Sequence, residues 1–340
     1  MIVGILAVLL FALCVGAILA KRFGDRYTTS PPPARTLHQG QLKPDCNVLS
    51  VVIPAYNEEE RLSPTLKDVV AFCEVHIKDS KSTFQDYEIL LVDDCSTDKT
   101  RQIAQDFITA NPTVKMSVIG VKPNHGKGYA VRTGFLAASG DFVLMADADN
   151  ATQFSDVAKI IAEMEKSKFD IGIGSRAHLE KEAIASRTLG RNILMWGFHM
   201  VVAVAYFVAT LGNLCYLKDT QCGFKVFRRF ACLPVFLNSR LERWAFDVEL
   251  LILAKRIGLT VVEVSVRWEE IPGSKVRLSG MVQMGLECLL MCFTYPLGFW
   301  PIRRRGKKRY EIGDADAQRA TSASTTPKSP VRQRSSRKED

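Results

Sequence analysis

Residues 142–154 read FVLMADADNATQF, and how this stretch folds decides the architecture. Gly140-Asp141 opens it, five apolar residues from Phe142 to Ala146 follow, and Asp147 and Asp149 close it around one small residue. An apolar run of that length, bounded by turn residues, reads as a strand buried on both faces. The aspartates then stand at its carboxyl end, where open α/β sheets take their ligands. Along an extended chain, carboxylates at i and i+2 point the same way, ~6.5–7 Å apart. Such a pair can hold a hard divalent cation directly or through water. A solvated acidic turn with an Asx cap uses the same letters, so the neighbouring segments must decide.

Those segments alternate. Leu49–Pro54, Tyr87–Val92, Lys115–Val121 and Asp170–Gly174 read as further strands. Helices are expected from Ser63-Pro64 to about Ile77, from about Asp98 to Ala110, from about Lys127 to Ala138, and near Asp156–Ser167. This alternation implies an α/β fold with a mostly parallel sheet flanked by helices and joined by right-handed crossovers. Polar residues gather at three strand ends: Tyr56-Asn57-Glu58, Asp93-Asp94 and Asp147/Asp149. One acidic strand end is ordinary; three in succession at the ligand-binding edge read as a site.

The formal charge of +9 is unevenly distributed. Residues 303–340 hold 12 Lys/Arg and 5 Asp/Glu, leaving 33 basic and 31 acidic residues in the body. A body with a net charge of +2 lacks the basic face a nucleic-acid binder needs, which argues against a nucleic-acid partner. The nine cysteines contain no CxxC pair, and several sit in apolar runs, as free thiols do in a reducing compartment. The chain carries no signal of oligomeric state.

Residues 1–20 contain no charged side chain and are followed by Lys21, Arg22 and Arg26, which reads as one transmembrane anchor with its C-terminal side in the cytosol. Residues 21–47 form a proline-containing linker, 48–275 a catalytic domain, 276–302 interfacial helices, and 303–340 a basic, disordered tail. The apolar segment 193–217 is long enough to span. Spanning would separate Asp219–Phe227 and Arg243–Glu249 from Asp147, so a buried or interface-lying helix is expected instead.

Four motifs carry a resemblance: VVIPAYNEEERL (51–62), LLVDDCSTDKT (90–100), NHGKGYAVRTGFLAASGDFVLMADAD (124–149) and GSR (174–176). Together they resemble the inverting nucleotide-sugar glycosyltransferases of family two, with a GT-A fold. DTQCGFKVFRR (219–229), RWAFDVELL (243–251) and WEEIPGSK (268–275) are similar to one eukaryotic branch, the dolichyl-phosphate β-glucosyltransferases. The resemblance implies transfer of glucose from UDP-glucose to dolichyl phosphate on the cytosolic face of the endoplasmic reticulum membrane, with Mg²⁺ or Mn²⁺. It implies that Pro54, Tyr56, Asn57 and Glu58 line the uridine and ribose, and that Asp93 or Asp94 reads the uracil edge. Asp147 and Asp149 would face the diphosphate and metal, Asp149 as the more direct ligand, and Lys127 joins the substrate-binding residues.

Two positions depart from related patterns. Ala151 stands where the mannosyl branch usually carries a Gln, and Arg240 stands where the QxxRW of processive synthases has its Gln. A mannosyltransferase using GDP-mannose and a catalytically silent membrane adaptor are the rival readings.

The lipid acceptor is itself a phosphate, largely ionised near neutral pH, so it needs cationic positioning rather than a general base. The candidates are Arg176, Arg187, Arg191, Lys225 and Lys275, with Arg187 and Arg191 foremost because they flank the apolar segment. Asp219 and Asp247 are base candidates if the acceptor is a hydroxyl, and are otherwise expected to orient those cations.

Overall fold

The computed structural model describes residues 47–179, 189–271 and 278–303. The candidate anchor, most of the linker, Arg187, Lys275 and the basic tail from residue 304 lie outside the described residues, as does the side chain of Arg191.

The first half alternates strand and helix. It runs β1 (Val48–Ala55), α1 (Leu62–His76), β2 (Asp86–Asp93), α2 (Thr100–Ala110), β3 (Met116–Gly120), α3 (Lys127–Ala137), β4 (Phe142–Met145), α4 (Asp156–Ser167) and β5 (Ile171–Ser175). There follow α5 (Leu189–Ala209), β6 (Lys225–Arg228), α6 (Arg229–Phe236), α7 (Phe246–Ile257), β7 (Val261–Ser265) and α8 (Leu278–Thr294). The expected strands and helices form within a residue or two of their anticipated ends. Ser63 does not cap α1: the helix begins at Leu62 behind Arg61, placing Ser63 and Pro64 inside the first turn.

One seven-stranded sheet has the order β3-β2-β1-β4-β6-β5-β7. β1 runs parallel to β2 and to β4, with Val51 opposite both Ile89 and Leu144. β6 is antiparallel to both β4 and β5. Strand periodicity splits the core in two. Val52, Val143 and Met145 pack toward α3, α6 and α7, whereas Leu49, Val51, Ile53 and Leu144 pack toward α1 and α4. All seven of these side chains are buried, and complete burial of each large one contributes about 1.5–3 kcal/mol.

The apolar segment near residues 193–217 forms α5, which packs on α8 and α7. Val202, Ala205, Tyr206 and Ala209 are buried, while Met200, Val204, Phe207, Val208 and Leu211 are exposed. α8 behaves similarly: Met284, Cys288 and Met291 face inward, and Val282, Leu286 and Leu289 outward. No helix among the described residues is long and apolar enough to cross a membrane. The described cysteines are free thiols.

Candidate active site

β1 lies between β2 and β4, so crossovers leave it in opposite directions and open a crevice at the strands' carboxyl ends. The first wall follows β1. Pro54 is buried in the strand and Tyr56 emerges 40% exposed. Asn57 takes a left-handed conformation (φ 54°) that turns the chain. Its N–H donates to Ser96 Oγ at 2.9 Å, and its Oδ1 accepts from Thr97 N at 2.8 Å. The Glu58 N–H donates to Thr100 Oγ1 at 2.7 Å, while the Glu58 carboxylate pairs with Arg61 at 2.6 Å. The lips after β1 and β2 are thus stitched together.

Asp93 Oδ1 accepts from Ser96 N at 3.1 Å. Asp94 is buried and accepts from His125 N (2.9 Å), Gly126 N (2.7 Å) and Asn124 Nδ2 (2.9 Å). Burial raises its pKa to about 6, against the lowering effect of the His125 and Gly126 hydrogen bonds. With both oxygens engaged, Asp94 holds the 124–126 loop; of the two acids considered for the uracil edge, Asp93 has the lighter structural duty.

That loop delivers the start of α3. A helix N-terminus is ordinarily a ready anion site, but this one is covered. Gly128 N donates to Arg243 O at 3.1 Å and Tyr129 N to Glu242 O at 3.0 Å. The loop lies so close that a Cβ on Gly128 would stand 2.6 Å from Leu241 O. What α3 presents to the crevice is Lys127, whose Nζ lies 2.6 Å from Asp147 Oδ1 and 5.9 Å from the centre of the Trp244 ring. Burial lowers the Lys127 pKa, but Asp147, Asp247 and Asp149 outweigh it and leave a net rise.

Asp147 and Asp149 follow β4 as expected. Asp149 Oδ1 accepts from Ala151 N at 3.0 Å, an Asx turn, which is the local feature that the rival reading of this stretch as an acidic turn also offers. Asp147 Oδ1 is buried and has no aligned hydrogen bond, only the charge of Lys127 beside it. The buried Asp147 oxygen, paired with Lys127, and the neighbouring partly exposed Asp149 carboxylate form a hard-oxygen donor set of the kind a divalent cation takes. Among the described residues no group of three or more His, Cys, Asp or Glu side chains is gathered for a metal, so substrate or water oxygens would complete the shell.

The opposite wall exists because β6 is antiparallel: it starts where β4 ends, bringing residues 219–225 beside Asp147. Arg176, just past β5, forms a fork on Asp219 (Nε–Oδ2 2.7 Å, Nη2–Oδ1 2.9 Å) and lies 5.5 Å from the Trp268 ring centre. Burial works against both charges, but the fork overrides it, raising the Arg176 pKa and lowering that of Asp219. Asp219 therefore orients a cation, as expected. Asp247 does the same for Lys225 at 2.5 Å. Lys225, however, is fully buried, with its ammonium also donating to Cys222 O at 2.6 Å. This corrects its reading as a substrate contact: it balances Asp247 beneath the site floor. Gly223, Trp244 and Trp268 also border the site, and their only signal in the sequence is that they lie within the segments 219–229, 243–251 and 268–275.

Comparison with known proteins identifies the family. The family profile described as Glycosyl transferase family 2 matches residues 50–231. The chain is similar to the dolichyl-phosphate beta-glucosyltransferase of Dictyostelium discoideum, 42% identical over 75% of this chain and 77% of that one. The Homo sapiens protein of that name is 40% identical over 76% and 79%, and the Saccharomyces cerevisiae one 39% over 74% and 76%. The fold is shared with crystalline glucosyl-3-phosphoglycerate synthase from Mycobacterium tuberculosis in complex with Mn²⁺ and UDP-glucose (TM-score 0.50, 19% identity, 80% of this chain and 90% of that one). The chain belongs to glycosyl transferase family 2, in the branch that holds the dolichyl-phosphate β-glucosyltransferases.

Proposed function

We propose that the chain transfers glucose from UDP-glucose to dolichyl phosphate with inversion, forming dolichyl β-D-glucosyl phosphate for protein N-glycosylation. The observation that carries this reading is the Lys127–Asp147 pair beside Asp149 at the sheet's switch point, a place for a nucleoside diphosphate and its counter-charge. The curated relatives bear the name of this activity, and the synthase sharing the fold was crystallised with Mn²⁺ and UDP-glucose.

Charge builds on the departing diphosphate as the bond to the sugar's C1 breaks. Asp149 and Asp147 would hold a divalent cation there, and it would supply Lewis-acid stabilisation of that charge. Lys127 adds a fixed ammonium on the same side, kept protonated by the carboxylates around it. Tyr56 offers an exposed ring at the lip for the uracil, and Asn57 holds that lip in place. On the far wall, Arg176 is pre-oriented by Asp219, so little side-chain entropy is lost when it meets an anion. The acceptor phosphate attacks as an anion, and no side chain need remove a proton.

The outward apolar rows of α5 and α8 support seating of this side in a lipid interface, as a polyprenyl substrate requires. Arg191 belongs to the first turn of α5 and, with Arg187, is assigned to the lipid phosphate. The N-terminal anchor and cytosolic orientation at the endoplasmic reticulum are part of the same reading, supported by Lys21, Arg22 and Arg26 after the apolar run.

The test offers the purified chain radiolabelled UDP-glucose and GDP-mannose in parallel, each with dolichyl phosphate and Mg²⁺. Label should pass to lipid from UDP-glucose. Transfer from GDP-mannose alone overturns the donor assignment, and transfer from neither overturns the enzymatic reading.

A further inference from the structure

We propose that Glu249 is a positioning residue for the donor site: from inside α7 it fixes the 240–244 loop, and through it the start of α3 and Lys127. The inference rests on the reading above that Lys127 and Asp147 face the donor diphosphate.

Glu249 is wholly buried. Burying a carboxylate is costly unless its lone pairs are used, and here they are. Oε2 accepts from Arg240 N and Leu241 N, both at 2.9 Å. Oε1 accepts from Arg240 N at 3.0 Å and from the Tyr295 hydroxyl at 2.6 Å. One side chain therefore clamps two successive backbone N–H groups of the loop and ties them to the residue that follows α8.

The next two residues complete the path. The Glu242 and Arg243 carbonyls accept the N–H groups of Tyr129 and Gly128, and Trp244 lies against the Lys127 ammonium. Gly128 leaves no slack, because Leu241 O already occupies the space a Cβ would need. Movement of residues 240–241 is thus passed to the first turn of α3 rather than absorbed. Lys127 heads that turn and holds Asp147. A carboxylate serving only to fill the core would act on overall stability and not selectively through Lys127.

That difference is measurable as non-additivity. UDP-glucose affinity is determined calorimetrically with Mg²⁺ on the full chain in detergent, for wild type, Glu249→Ala, Glu249→Gln, Lys127→Ala and the Glu249→Ala/Lys127→Ala double variant. Circular dichroism melts set the folded fraction for each. Glu249→Ala should weaken binding about tenfold per folded molecule, the scale of one broken positioning contact. Glu249→Gln should stay within about threefold, since its amide oxygen can take the loop N–H groups while its nitrogen donates to the Tyr295 oxygen. On the Lys127→Ala background, Glu249→Ala should add less than about threefold. Should Glu249→Ala not fold, Glu249→Asp, which withdraws the charge by one methylene, should give the same non-additive pattern. Equal losses from Glu249→Ala on both backgrounds, or no loss from Glu249→Ala on the wild-type background, overturn the proposal, and the same two outcomes apply to Glu249→Asp where it stands in. A wild-type chain that binds no UDP-glucose overturns the functional reading and the proposal together, and is recognised without any variant.

Discussion

Gly223 lies against Asp147 so closely that a Cβ added to it would stand 2.0 Å from Asp147 Oδ2 and 2.5 Å from Cγ. No side chain fits there without displacing the carboxylate. Gly223→Ala should therefore push Asp147 off its pairing with Lys127 while leaving the sheet intact, since Gly223 precedes β6 rather than lying in it. A displacement near 1 Å at a reacting centre can cost about 10²-fold in rate. Glucose transfer should fall on that order with an unchanged circular dichroism spectrum; near-normal transfer would show that Asp147 need not occupy its observed place.

The ionisation of Asp94 should set an acidic limit on donor binding. Its folded pKa is raised by burial to about 6, and only the carboxylate can accept all the donors of the 124–126 loop. As pH falls through about 6 the group protonates, the loop loosens, and UDP-glucose affinity should drop. The donor is a diphosphate diester with no group titrating there. The stability sign is opposite. A raised folded pKa means the folded state binds the proton more tightly, so this group's contribution to stability is fully present below the ordinary carboxylate range near 4 and is lost as pH rises to about 6. Affinity titrations from about pH 5 to 8 test this, and Asp94→Asn should remove the inflection.

Lys225 and Asp247 form a buried pair beneath the site. Lys225→Met strands the Asp247 carboxylate, which should destabilise the chain by about 3–5 kcal/mol in urea melts. Lys225→Met/Asp247→Asn should recover part of that loss. A Lys225→Met variant that melts normally but binds substrate poorly would return Lys225 to the list of substrate contacts.

The apolar rows make a further prediction. Phe207 and Leu286 are exposed on α5 and α8. Phe207→Glu/Leu286→Glu should reduce use of long-chain dolichyl phosphate in vesicles about tenfold or more. Use of a short, water-soluble prenyl phosphate should be little altered. Equal losses on both acceptors would place these side chains in folding rather than lipid contact.

Much of the fold is legible because period-two and helical patterns are local. Phe142–Met145 is apolar on both faces, and α3 and α4 form where anticipated. The last strands are not local in this sense. β6 has only four residues, and its antiparallel insertion between β4 and β5 depends on partners about 80 and 50 residues away. Without that register, Lys225 reads as an available cation rather than a buried one. Asp94 is misleading for a similar reason, since its duty is set by a loop about 30 residues on. Glu249 and Gly223 carry no local signal beyond lying in conspicuous motifs; their roles follow from contacts made across the crevice.

Under the proposed function, Asp149 and Asp147 would hold a divalent cation against the departing diphosphate of UDP-glucose. The most direct test of this role measures glucose transfer from labelled UDP-glucose to dolichyl phosphate by wild type and Asp149→Asn, with Mg²⁺ and with chelator. The Asn oxygen can still accept from Ala151 N, so the turn should persist. Wild type should transfer only with metal, and Asp149→Asn should lose on the order of 10²–10³ in rate while remaining folded. Full turnover in chelator, or an Asp149→Asn variant as active as wild type, would contradict the account.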